Sequence, residues 1–226
     1  MKRSEINQAI KDAKQIMAQY RFSLPKFAEF SAKDWQTFSL EPYAEILESN
    51  LGWDVTDFNL GNFAQTGLTL FTLRNQSEKN GKPYAEKIML VKKNQVTPMH
   101  YHWKKMEDII NRSGGVLSLQ LYKRDETTDL LDEVSAIEVS IDGERRQIAA
   151  GDKIRLHPGQ SICLPPTLYH SFWAEEGNVL AGEVSMVNDD LTDNRFLDPL
   201  GRFSAIEEDE APIHLLCSDY KEFLCR

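Results

Sequence analysis

The chain is predicted to be mainly β, a sandwich or barrel of short strands preceded by α-helices. Two observations carry this. From about residue 63 the hydrophobic period becomes two, with Leu68, Leu70 and Thr72 alternating with Thr69, Phe71 and Leu73. Turn signals then recur between apolar runs: Asn80-Gly81-Lys82-Pro83, Ser113-Gly114-Gly115, Asp142-Gly143, His157-Pro158-Gly159 and Glu176-Gly177-Asn178. Closing such strands on one another would put alternate side chains inside, where a polar site can be walled by apolar residues.

The elements follow in order. Residues 4–20 read as an amphipathic helix: Ile6, Ala9, Ile10, Ala13, Ile16, Met17 and Tyr20 fall at helical spacing, and Ser4 is placed to cap the N-terminus. Leu24-Pro25 ends it. A second helix is expected near Ser31 and a third over 42–49, with Gly52 after its end. These helices are expected to cover a face of the β unit. Strands are expected over 84–92, 106–112, 116–123, 134–141, 145–149, 153–157, 160–164, 168–175 and 178–187. The tail from Asp189 is irregular and acidic, ending in the run Glu207-Glu208-Asp209-Glu210, which reads as a solvated face. The chain thus divides into a helical extension (1–62), a β unit (63–188) and a tail packed on it (189–226), all in one domain.

A content of 41% hydrophobic and 27% charged residues is ordinary for a soluble globular protein. The formal net charge of −9 argues against a nucleic-acid or anionic-membrane surface. No apolar stretch reads as a membrane span or secretory signal, so a cytoplasmic protein is expected. Three cysteines without Cys-x-x-Cys spacing imply no disulfide framework.

The chemistry concentrates in residues 97–115, TPMHYHWKKMEDIINRSGG. On an extended strand His100 and His102 share a face. Glu107 stands at an odd offset, so a turn or bulge in 103–106 is needed to return it to that face. A second stretch, GQSICLPPTLYH (159–170), supplies His170. A bare His-x-His can be two imidazoles hydrogen-bonded on a half-buried sheet; the added carboxylate and later histidine favour a divalent metal site.

The spacing His100-x-His102-x4-Glu107-x6-Gly114 resembles the first motif of the cupins, with Asn94 where that motif opens on glycine. Asn tolerates the left-handed turn next best. Gly159-x5-Pro165-x-Thr167-x2-His170 resembles the second motif, with Thr167 replacing a usual glycine and Ala174 a usual asparagine. The resemblance implies a cupin-type β-barrel (a double-stranded β-helix, or jelly roll) in which His100, His102, Glu107 and His170 hold one metal. A longer resemblance runs through MKRSEIN, LGWDVTDF, PYAEKIML, TPMHYHWKKMEDIINR, LPPTLYHSFWAE, GEVSMVNDD, DNRF and IEEDEAP. Those segments are similar to the D-lyxose isomerase family. This implies a manganese-dependent aldose–ketose isomerase acting on D-lyxose, and also on D-mannose, with iron, cobalt, nickel or zinc as alternative ions. By analogy with cupins a homodimer is expected.

Such a reaction moves a proton between C1 and C2. It needs a base, stabilisation of the enediolate oxygens and a proton donor. A six-coordinate ion held by four protein ligands keeps about two positions for a bidentate sugar. Lys105, two residues before Glu107 and so on its face, is expected to be a proton carrier with a pKa lowered by burial and the cation. Glu207 is the candidate carboxylate base. Glu183, an acid in an apolar strand, and Lys87 are expected around the sugar, with Asp190 and Arg195 as further contacts. Trp53, Trp103 and Trp173 are core residues or pocket walls, and Trp103 has the parity of the outer face. His157 and His214 are expected at the surface or in packing. Two other readings of the same ligands are an iron dioxygenase and a non-catalytic sugar-binding module. The helices lack a basic stripe, which counts against a DNA-binding regulator.

Overall fold

The computed structural model describes residues 1–76, 79–186, 189 and 192–224. The fold is mainly β with helices at its N-terminal end. Its helices are α1 (Arg3–Gln19), α2 (Ala32–Thr37), α3 (Ala44–Glu48) and α4 (Tyr220–Leu224). Its strands are β1 (Gly52–Thr56), β2 (Leu68–Arg74), β3 (Ala85–Val91), β4 (Val96–His102), β5 (Glu107–Arg124), β6 (Leu131–Asp132), β7 (Ile137–Ile141), β8 (Glu144–Ile148), β9 (Lys153–Leu156), β10 (Ser161–Leu164), β11 (Tyr169–Ser185) and β12 (Asn194–Phe196).

Two long strands organise the rest. The halves of β5 and β11 pair with each other along their whole length. Where Glu107–Asn111 meets Ala181–Ser185 they sit in one sheet, ordered β1-β2-β3-β11-β5-β10-β7-β8. Where Val116–Tyr122 meets Tyr169–Glu175 they sit in a second, β12-β4-β11-β5-β9. Among the described residues the hydrogen-bonded path stays open, so the interior is enclosed by two sheets that share β5 and β11.

The sequence predicts a hairpin at Ser113-Gly114-Gly115 and another turn at Glu176-Gly177-Asn178, whereas both strands run straight through. The glycines serve the crossing of the two strands. A Cβ on Gly114 would lie 2.1 Å from Asn178 O, and one on Gly115 2.3 Å from Glu175 O. The register shifts between Glu175 and Val179, where Glu176 and Gly177 have φ of 64° and 150°. Two glycines opposite a bulge bend the pair from one sheet into the other.

The inner faces meet in one apolar cluster that includes Leu70, Met89, Ile109, Leu119, Ile162 and Phe172. Neighbours of opposite parity, Phe71, Ile88, Leu90 and Leu180, face outward and are covered by Ile6, Ile10, Ala13 and Met17 of α1. The β1, β2, β3 and β11 part of the first sheet is therefore apolar on both faces, and α1 supplies the cover the sequence predicts. α2 starts at Ser31 as expected, and Ser31 caps it, its hydroxyl accepting from Asp34 N at 3.2 Å. Ser4 does not cap α1; Lys2 holds that position and the Ser4 hydroxyl donates to Asp209. β1 arises within the segment expected to be helical, and β12 within the tail expected to be irregular. Cys163 is a free thiol, and no helix among the described residues is long and apolar enough to cross a membrane.

Arg3 ties the ends of the chain together. Fully buried, it donates to Asp219 (2.9 and 3.1 Å) and to Glu208 (2.9 and 2.6 Å). Removing one partner of a buried pair strands the other charge, at about 3–5 kcal/mol. Arg3→Met is expected to lower unfolding free energy by about that amount in urea titrations; an unchanged midpoint would contradict this role.

Candidate metal centre

β4 and β11 place His100 opposite His170 in register. His102 follows on the same face of β4, as strand parity requires. Residues 103–106 turn the chain, and Glu107 opens β5 pointing back to the same cavity. The turn is held by Asp193, whose carboxylate accepts from Lys104 N (2.9 Å) and Lys105 N (3.1 Å), while its carbonyl accepts from Trp103 N (3.1 Å). Thr167 N donates to His102 O at 2.8 Å, joining the two motifs. Asn94 and Thr167 both adopt positive φ, 64° and 63°, the conformation that suits the glycines of the cupin motifs.

The four side chains converge. The three imidazoles offer ligand atoms within 4.8 Å of one another. Glu107 Oε1 lies 3.1 Å from His170 Nε2 and 3.4 Å from His102 Nε2. His100 Nδ1 contacts Pro98 O at 2.7 Å and His170 Nδ1 contacts Leu168 O at 3.0 Å. A carbonyl only accepts, so each Nδ1 carries the proton and each Nε2 presents a lone pair to the cavity. Glu107 Oε1 and His170 Nε2 are buried acceptors facing each other with no hydrogen bond. Two lone pairs at that distance repel unless a cation sits between them. Burial, then the neighbouring His170 and His102, push His100 well below the ordinary imidazole pKa; burial also lowers His102. Neutral imidazoles and a carboxylate fit a divalent ion such as manganese, iron, cobalt, nickel or zinc.

Next to the ligands lies a buried charge network. Lys105 Nζ is 2.7 Å from Glu107 Oε2 and 2.8 Å from Glu183 Oε1. Lys87 Nζ is 3.6 Å from the same Glu183 oxygen, which also accepts from Ser185 Oγ at 3.0 Å. Burial would raise both carboxyls, yet Lys105 with His102 holds Glu107 well below the usual range, and Lys105 with Lys87 holds Glu183 below it. The sequence reading has Lys105 lowered. Burial does act downward on it, but Glu107 and Glu183 outweigh burial and raise it, so Lys105 is an ammonium. The four donors, Lys105, Glu183 and Lys87 line one cavity. Phe58, Leu68, Leu70, Met89, Phe172 and Phe196 form its apolar wall.

A family model described as D-lyxose isomerase matches residues 1–220. The chain belongs to the D-lyxose isomerase family. A D-lyxose/D-mannose isomerase of Serratia proteamaculans is 54% identical over 230 residues, covering 99% of this chain and 100% of that one. One from Escherichia coli O157:H7 is 53% identical over 229 residues, with coverage of 99% and 100%. Among solved structures, the L-ribose isomerase of Cellulomonas parahominis with L-psicose superposes with a TM-score of 0.60 at 16% identity, covering 92% of this chain and 98% of that one. The Geodermatophilus obscurus L-ribose isomerase gives 0.59 at 18%, with the same coverage. At these identities the structural likeness is one of fold.

In this member of the D-lyxose isomerase family the remaining candidates scatter. Glu207 is exposed and far from the cavity: its backbone pairs with Met1 and Arg3 beside α1. The acidic run, read from sequence as a solvated face, is exposed, and the tail also uses it to hold the N-terminus. Arg195 has the wrong parity; it faces outward, its Nε donating to Asp129 at 2.9 Å, while Asn194 and Phe196 on either side line the cavity. Asp190 lies outside the described residues. Of the tryptophans, Trp53 packs under α1, Trp103 is on the outer face against Tyr101, and none lines the cavity. His157 is exposed and His214 is buried in packing, its Nδ1 bonded to Phe30 O. Asp193, Asn194 and Arg202 were missed. Parity along Asn194-Arg195-Phe196 could have found Asn194. Arg202, paired with Asp54 at 2.7 Å, reaches the cavity from the tail without any local pattern.

The D-lyxose isomerase family chain is expected to bind one divalent ion at these donors. Elemental analysis after dialysis against Mn²⁺ should find close to one ion per chain in the wild type and a large loss in His102→Ala. Chelation should lower the melting temperature of the wild type only. Equal metal content in both proteins would refute the site.

Proposed function

We propose that the chain is an aldose–ketose isomerase that interconverts D-lyxose with D-xylulose and D-mannose with D-fructose. The observation that carries it is Glu183, an ionised carboxylate 2.8 Å from the Lys105 ammonium and inside the cavity that holds the four metal-type donors. Relatives more than half identical over their full length, named D-lyxose/D-mannose isomerase, support the substrate. The proposal takes manganese as the resident ion, a homodimer as the assembly and the cytoplasm as the location.

His100, His102, Glu107 and His170 would hold the ion, which supplies Lewis acidity to the sugar oxygens when bound. The rest of the chemistry belongs to the chain. Glu183 accepts the proton from C2 of the aldose and returns it to C1, while the hydroxyl proton of O2 passes to O1 beside the Lys105 ammonium. Its depressed pKa makes it a base in resting protein, and the apolar wall keeps water from exchanging that proton. Lys105, bonded to both carboxylates, fixes the Glu183 carboxylate in position and donates a hydrogen bond to the oxygen on which charge develops. Lys87, Asn194 and Arg202 line the cavity and offer donors to the hydroxyls of the sugar chain.

Purified protein with Mn²⁺ should convert D-lyxose and D-mannose to their ketoses; no ketose from any pentose or hexose aldose would end the proposal. Glu183→Gln should keep the metal and lower kcat by about 100- to 10,000-fold. Carriage by one carboxylate also predicts that deuterium at C2 of the aldose appears in part at C1 of the ketose. Full activity in Glu183→Gln would move the base elsewhere.

A further inference from the structure

The outer face of the second sheet, behind the ligands, carries a cluster that the reaction does not use. Tyr101 lies between His100 and His102, Tyr169 directly precedes His170, and Arg195 lies between the cavity residues Asn194 and Phe196. By strand parity all three point away from the cavity, and all three converge on one residue. Asp129 Oδ1 accepts from Tyr101 OH at 2.8 Å. Asp129 Oδ2 accepts from Arg195 Nε at 2.9 Å, and its backbone carbonyl accepts from Tyr169 OH at 2.8 Å. Tyr101 and Tyr169 are fully buried and meet edge to face, with centroids 4.8 Å apart.

Asp129 is itself held. It sits at φ 59° in the loop between β5 and β6, its N–H donating to Asp125 O at 2.9 Å, while Asp125 N donates to Leu130 O. Burial acts to raise its carboxyl, but Tyr101 and Arg195 outweigh that and hold it below the ordinary range. Aspartate enters the left-handed region at modest cost. That cost is offset here by contacts to β4, β11 and β12 and, through Arg124 Nη1 at 3.4 Å, to β5.

We propose that Asp129 is a positioning residue for the metal centre: it pins β4, β11 and β12 from behind and so sets the spacing of His100, His102 and His170. The proposal rests on the metal reading above. It differs from a general role in stability, because three of the four strands it touches carry the imidazoles and two cavity residues. Outer groups that orient ligands change metal affinity by about 10- to 100-fold when removed.

The test measures Mn²⁺ affinity of the full chain from the spin-resonance signal of free Mn²⁺, with the imidazole proton signals of the metal-free chain recorded beside it. Asp129→Ala should bind Mn²⁺ at least about ten-fold more weakly and shift the signals of His100, His102 and His170. Asp129→Asn, which keeps an acceptor, should retain most of the affinity. Arg3→Met, destabilised but remote from the site, should bind as the wild type does, which separates positioning from loss of stability. If Asp129→Ala fails to fold, Tyr101→Phe removes one hydroxyl from a ring that stays packed and should show the same loss in smaller degree. Wild-type affinity with unmoved imidazole signals in these variants would overturn the proposal. A wild type that binds no Mn²⁺ would instead sink the metal reading, and the imidazole signals would still decide whether Asp129 sets their positions.

Discussion

Lys105 is buried between two carboxylates, 2.7 Å from Glu107 and 2.8 Å from Glu183. Burying any one of these charges alone would cost several kcal/mol. Together they satisfy one another in a cavity with an apolar wall on one side, and each constrains the next. Glu107 is divided between an oxygen given to Lys105 and an oxygen aimed at the imidazoles. Glu183 is kept ionised and oriented by two lysines and Ser185. The metal-type donors and Glu183, the proposed proton carrier, are therefore parts of one electrostatic unit. That is why the Glu183 carboxylate stays ionised although buried.

The scaffold's contribution is to bring together residues far apart in sequence. β11 carries His170 in one half and Glu183 in the other, with the bend between them. β5 begins with Glu107 at the edge of the same cavity and then crosses into the second sheet. The bend needs Gly114 and Gly115, since any Cβ there would collide with the backbone of β11. α1 covers the outer face of the first sheet, so the strands that carry Lys87 and Glu183 are supported from both sides. Behind the ligands of the second sheet, among the described residues, the loop that carries Asp129 packs instead.

Strand parity made much of this legible. His100 and His102 share a face, Glu107 needs a turn in 103–106 to rejoin them, and Lys105 follows Glu107 inward; all of this is found in the fold. Asn94 adopts the left-handed turn expected of it. The failures share a cause: they needed tertiary partners. A glycine pair reads locally as a hairpin, and only the opposite bulge at 176–178 shows it to be a crossing. The acidic character of Glu207 is real, but Met1 and Arg3 claim its backbone. Arg195, expected at the sugar, has outward parity, and its neighbour Asn194 takes the inner position. Burial and a cation lower the pKa of Lys105 in the sequence reading, whereas in the fold Glu107 and Glu183 face it and raise it. Arg202 arrives from the tail, where no periodicity announces it.

The most direct test is anomalous diffraction at the manganese edge from crystals soaked with Mn²⁺ and a non-reacting sugar alcohol. The account predicts one strong peak among His100 Nε2, His102 Nε2, His170 Nε2 and Glu107 Oε1, with two polyol oxygens completing its coordination and Glu183 facing the carbon chain. A peak elsewhere, or an ion fully enclosed by protein with the polyol remote from Glu183, would contradict it.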